Sequence, residues 1–97
     1  MTSKQRAFLR KMASSINPIA SVGKGGASPE VVTSVKEALD KRELIKVTVL
    51  DNCFDEVRDI ADVISERTQS QVVQVIGRKF VLYKQNREKP IIELPKK

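Results

Sequence analysis

Ile19-Ala20-Ser21-Val22-Gly23-Lys24-Gly25-Gly26-Ala27-Ser28-Pro29-Glu30 reads as a strand, a glycine turn and a helix start in direct succession. Asn17-Pro18 just ahead breaks any preceding helix, so Ile19 to Val22 begins as a short extended segment. Ser28 offers an N-cap oxygen, Pro29 suits the first helical position, and Glu30 places an acid at the positive end of the helix dipole. A strand that passes through a tight turn into a helix is the first half of a βαβ unit, so this stretch predicts an α/β domain.

Working outward, Val31, Val32, Val35, Ala38 and Leu39 give that helix an apolar stripe, which ends around Lys41-Arg42. Leu44 to Leu50 then alternates: Ile45, Val47 and Val49 face one way, Lys46 and Thr48 the other. One face of this strand is expected to meet water, which argues for a two-layer arrangement there. Asn52 is expected to cap a third helix, with Asp55 and Glu56 in its first turn. Phe54, Val57, Ile60, Ala61 and Ile64 would form its core stripe, leaving Asp55, Glu56, Asp59, Asp62 and Glu66 outside. Val72 to Ile76 is nearly continuous apolar sequence and predicts a central strand; Gly77-Arg78 then joins it to Lys79–Tyr83 as a hairpin.

Upstream, Thr2 or Ser3 caps a first helix that runs to about Ser14. Phe8, Leu9, Met12 and Ala13 gather on one side of it, and Lys4, Arg6, Arg10 and Lys11 point to solvent on the other. The predicted order is α-β-α-β-α-β-β, a compact two-layer-type α/β domain with a four-stranded mixed sheet. It occupies residues 1–84, and residues 85–97 form a basic, proline-containing tail. Ile91, Ile92 and Leu94 of the tail are candidates for docking, with fraying expected at its end.

The 97 residues fit one compact core. Aromatics are 4% of the chain, so that core must be aliphatic. The net charge of +6 is unevenly spread: +5 over residues 1–26, −4 over 27–70 and +5 over 71–97. Such a basic–acidic–basic pattern can give a polar molecule with one face that attracts polyanions. The single cysteine, Cys53, can form neither an internal disulfide nor a metal cluster, and reads as a small buried apolar side chain. No apolar run approaches the roughly twenty residues of a membrane span, and no signal-peptide stretch follows the N-terminus, so a cytoplasmic location is expected. With no histidine, the commonest acid–base group near neutral pH is missing, and neither an enzyme, a catalytic residue, a metal nor a cofactor is expected.

The chemistry concentrates in Gly23-Lys24-Gly25-Gly26. Glycine amides can turn toward a ligand and let its backbone come close, and the helix that follows favours an anion. Lys24 adds a full positive charge. A nucleotide-binding P-loop does not fit, because Gly26 is followed by Ala27-Ser28 with no lysine in the required place. The dinucleotide fingerprint fails at Ser28. What remains is Gly-x-x-Gly, of the kind with which KH modules clamp RNA backbone, although a tight strand-to-helix turn could itself require such glycines.

Several separated blocks resemble one family in order. They are Lys4-Gln5-Arg6-Ala7-Phe8-Leu9-Arg10, Pro18-Ile19, Val22-Gly23-Lys24-Gly25-Gly26 and Ala38-Leu39, then Arg42-Glu43-Leu44-Ile45-Lys46-Val47, Val75-Ile76-Gly77-Arg78 and Val81-Leu82-Tyr83. Together they look like the CRM (chloroplast RNA splicing and ribosome maturation) domain over roughly residues 3 to 84, and most like the single-domain bacterial YhbY proteins. The resemblance implies RNA binding and a fold similar to the C-terminal domain of translation initiation factor three. It also implies association of bacterial members with large-subunit ribosomal precursors; plant members assist splicing. Ser28-Pro29 departs from many members and should only help the helix start.

The expected RNA-contacting residues are Gly23, Lys24, Gly25 and Gly26 with Lys4, Arg6, Arg10 and Lys11 of the first helix and Arg78 and Lys79 at the hairpin. The expected partner is ribosomal RNA, bound by a monomer, with the acidic third helix offered to basic ribosomal proteins. Tyr83 is the candidate exposed aromatic, and Phe8 and Phe80 are read as core. The competing readings are a protein–protein interaction module with incidental bases and a general nucleic-acid-binding accessory protein.

Overall fold

Thr2 and Gln5 open the chain with reciprocal hydrogen bonds: Gln5 N–H donates to Thr2 Oγ1 at 3.1 Å and Thr2 N–H to Gln5 Oε1 at 3.0 Å. This capping box starts helix α1, Ser3–Ala13, in a computed structural model that describes residues 1–96. Strand β1, Ala20–Val22, follows, then helix α2, Pro29–Arg42, capped by Ser28 as its sequence predicts. Strand β2, Leu44–Val49, helix α3, Val57–Thr68, and the hairpin of β3, Gln71–Ile76, with β4, Lys79–Tyr83, complete the order. The α/β class, the element order and the four-stranded mixed sheet are those expected.

The sheet runs β1-β2-β4-β3, with β1 parallel to β2 and the other neighbours antiparallel. On one face, Ile45, Val47, Val49, Phe80 and Leu82 meet Val35 and Leu39 of α2 and Ile60, Ala61 and Ile64 of α3. On the other, Leu44, Val81 and Tyr83 meet Leu9 and Ala13 of α1. Helices therefore lie on both faces. The second face is left partly open at Lys46 and Thr48, the positions whose polarity signalled it.

Five local expectations are corrected. The apolar run in β3 belongs to an edge strand, and β4 is the central one. A register shift between Val72 and Gln74 is a β-bulge, so Val72 packs toward the α2/α3 side and Val73 toward α1. Two-sided burial, and not a central place, explains that run. Helix α3 starts at Val57 with Glu56 as its N-cap, and Asn52 caps nothing. Residues 50–53 form a turn instead, closed by Cys53 N–H on the Leu50 carbonyl at 3.0 Å, with the Cys53 side chain buried. Phe54 is thereby thrown outward and is 92% exposed. Among the other aromatics, Phe80 is core as read, Phe8 is partly exposed, and Tyr83 is buried.

The tail docks through Glu43, which is fully buried just past α2. Its carboxylate accepts from the backbone amides of Asn86 (2.6 Å), Ile91 (2.8 Å) and Ile92 (2.6 Å). Glu43 holds φ at 63°, a strained value for a residue with a Cβ, and the surrounding hydrogen bonds over-determine it. Ile92 joins the α1-side core and Leu94 packs against it, while Ile91 is exposed. Lys97, where fraying was expected, lies outside the described residues.

Candidate nucleic-acid interface

Parallel pairing sets the place of the glycine loop. Val22 lies opposite Val49, and Leu50 N–H donates to the Val22 carbonyl at 2.8 Å, so β1 and β2 end together. Val49 N–H in turn donates to the Arg78 carbonyl at 2.7 Å, which brings the β3–β4 hairpin to the same end of the sheet. Gly23–Gly26, the turn after β2, and Gly77-Arg78 thus form one loop cluster.

Within the glycine loop the three glycines differ. Gly26 has φ +63°, and a Cβ there would stand 3.1 Å from the Asp55 carboxylate, so the fold itself requires glycine. Gly23 and Gly25 do not have positive φ. A Cβ on Gly25 would meet only Ser28 Cβ at 3.9 Å, and one on Gly23 would make ordinary contacts with Asn52 and Leu50. The tight-turn explanation therefore covers Gly26 and leaves Gly25 without a conformational reason.

The loop's donors divide in a similar way. Gly26 N–H is used internally on the Gly23 carbonyl at 3.0 Å, and Ser28 N–H on the Gly26 carbonyl at 2.8 Å. Among the described residues, the amides of Lys24 and Gly25 meet no protein acceptor. Lys24 and Gly25 are exposed at the tip. The Asp55 carboxylate lies against the Gly26 side of the loop, away from the exposed tip.

Arg78 is more a strut than a free base. Its Nε donates to the Val49 carbonyl at 3.2 Å, and Nη2 donates to the carbonyls of Leu50 at 2.7 Å and Cys53 at 3.2 Å. It fixes the turn that carries Phe54 while still bringing a full charge to the cluster. Arg67 of α3, which sequence reasoning did not single out, donates to the Ala27 carbonyl at 3.1 Å and braces the loop from behind.

The bases of α1 lie elsewhere. Arg6 does not point to solvent: its Nη1 donates to the carbonyls of Val72 at 2.6 Å and Val73 at 3.0 Å, satisfying the bulge of the edge strand. Val72 shares a row with Leu82 and Ile45, four residues along β2 from Val49. At about 3.3 Å per residue, that row is roughly 13 Å from the glycine-loop end. Lys4, Arg10 and Lys11 are exposed as expected.

The gap between helix and loop carries charge of its own. Lys46 is opposite Val81, which is buried under α1, and Thr48 is opposite Lys79, so alternation puts Lys46 and Lys79 on the open part of the α1 face. A basic track from α1 through Lys46 to Lys79, toward the glycine-loop end of the sheet, results, with Lys46 a further base not singled out from sequence. Asp59, Asp62 and Glu66 are exposed on α3, on the opposite face.

Little here suggests other chemistry. Among the described residues, no group of three or more Cys, Asp or Glu side chains is placed to hold a metal, and no helix is long and apolar enough to cross a membrane. The Tyr83 phenol titrates above its ordinary value, chiefly because burial disfavours the phenolate and also because Glu43 carries negative charge nearby. Its hydroxyl is buried without a hydrogen-bond partner among the described residues.

A basic α/β domain with an exposed glycine loop at one end of its sheet is the class that fold and site define. The chain belongs to the CRS1 / YhbY (CRM) domain family, whose pattern it matches over residues 1–84. It is 46% identical over 95 residues to YqeI of Bacillus subtilis, named a probable RNA-binding protein, covering 98% of this chain and 99% of that one. A Haemophilus influenzae protein named RNA-binding protein is 34% identical over 97 residues, covering 100% and 97%. The solution structure of SAV1595 from Staphylococcus aureus, described as a candidate RNA-binding protein, superposes with a TM-score of 0.83 at 44% identity, covering 98% of this chain and 99% of that one.

Proposed function

We propose that this chain binds RNA by its backbone, holding a phosphate against the Lys24 and Gly25 amides and laying the strand along the basic track of Lys79, Lys46 and the exposed bases of α1. The observation that carries this reading is the pair of unengaged amides beside a glycine that the fold does not require. Binding, and not catalysis, is its role. Family resemblance extends the proposal to ribosomal RNA in large-subunit precursors, with the protein acting as a cytoplasmic monomer. The acidic outer face of α3 suits a basic protein of the same particle.

A salt titration with a large-subunit ribosomal transcript tests this. If about five phosphates are neutralised, log affinity should fall against log salt with a slope near −3.5 for single strands. Replacing Lys4, Arg10 and Lys11 with Gln should flatten that slope. A salt-independent response would leave the protein-interaction reading in its place. Equal affinity for an unrelated transcript of the same length would remove the ribosomal assignment while keeping RNA binding.

A further inference from the structure

The loop cluster holds one feature that phosphate binding does not use. Phe54 is 92% exposed on the turn after β2. Together with Val57, Val75, Gly77 and Arg78 it lines an open groove of about 330 Å³. A freely moving loop could fold such a ring away from water. This one cannot, because Cys53 beside it is buried in the core and Arg78 ties the carbonyls of Leu50 and Cys53. The ring is held out, and it is held next to the glycine loop: Asn52 and Asp55, on either side of Phe54, are the residues closest to Gly23 and Gly26.

Resting on the RNA-binding reading, we infer that Phe54 is a stacking platform for an unpaired nucleobase of the RNA whose phosphate sits at Lys24–Gly25. The electrostatics orient the nucleotide. Asp55 and Glu56 balance Arg58 and Arg78 in the groove, so its lining has no net charge to draw a phosphate, whereas a base presents a neutral π face that stacks on an aromatic ring whatever its sequence. The guanidinium of Arg78 at the groove wall offers a second planar surface for the same base. Backbone on the lysine side and base on the phenylalanine side would favour single-stranded segments, loops and bulges, since paired bases cannot reach the ring.

The absence of tryptophan from the sequence makes this testable with a single reporter. In Phe54→Trp, single-stranded RNA should quench the indole fluorescence, and inorganic polyphosphate, which has charge but no bases, should bind without quenching. Phe54→Ala should weaken RNA binding about 5- to 100-fold and leave polyphosphate binding and the melting temperature unchanged. Wild-type RNA affinity in Phe54→Ala, or an indole that RNA does not quench, would overturn the stacking role and leave the ring to a protein partner. A wild-type protein that binds no RNA would instead overturn the underlying function, so the two failures are distinguishable.

Discussion

The two ends of this molecule treat backbone amides in opposite ways. Beyond α2, the amides of Asn86, Ile91 and Ile92 converge on an internal anion, the buried Glu43 carboxylate. At the glycine loop, the amides of Lys24 and Gly25 meet no acceptor among the described residues. Both arrangements suit a negatively charged oxygen, but only the first supplies one. Where the fold closes over its own tail, it carries its own carboxylate; at the proposed site, it leaves the donors to solvent beside Lys24.

The Glu43 end should give the largest effect on stability. Glu43→Gln replaces a charged acceptor with an amide whose nitrogen faces other donors, leaving buried N–H groups poorly satisfied. A loss of about 3 kcal/mol is expected. In a domain of this size that corresponds to a fall in melting temperature on the order of 10–20 °C. RNA affinity measured well below the transition should not change. A stable Glu43→Gln protein would show that the tail is held by Ile92 and Leu94 packing, and not by the carboxylate.

The glycines sharpen the comparison on a smaller scale. Gly26→Ala should destabilise by about 1–2 kcal/mol, because alanine must take a left-handed φ beside Asp55. Gly25→Ala should be neutral or stabilise by up to about 1 kcal/mol, since its φ suits any residue and its Cβ has space. Denaturant titrations of the pair check this. Equal losses would mean that the loop is one rigid turn with no position left free for a ligand.

What the sequence made legible was local. Alternation in Ile45, Val47 and Val49 fixed the buried face of β2, and Ser28-Pro29-Glu30 fixed the start of α2, because each signal lies within a few neighbouring residues. What it hid depends on partners far along the chain. Arg6 looked like a solvent-facing base until β3, 66 residues on, offered it carbonyls. Phe54 fitted a helical stripe, but the turn fixed by Arg78 from 25 residues away ended that helix register before it began. Glu43 resembles an ordinary acid at a helix end, and only the returning tail reveals its role. In the site, the glycine pattern and Lys24 were visible; the division between a required Gly26 and a permitted Gly25 needed backbone angles.

That division makes Gly25→Asp the most direct test of the account. The substitution sets a carboxylate in the path of an incoming phosphate at a position where φ and space both accept a side chain. RNA affinity at low salt should be compared across wild type, Gly25→Asp, Lys24→Ala, which removes charge but keeps the amides, and Lys84→Glu, which makes a larger charge change beyond the hairpin. Circular dichroism and melting on the same samples report the fold. Gly25→Asp should stay folded and lose far more binding than either of the others. A folded Gly25→Asp protein that binds RNA like wild type would contradict it and leave only a diffuse basic face.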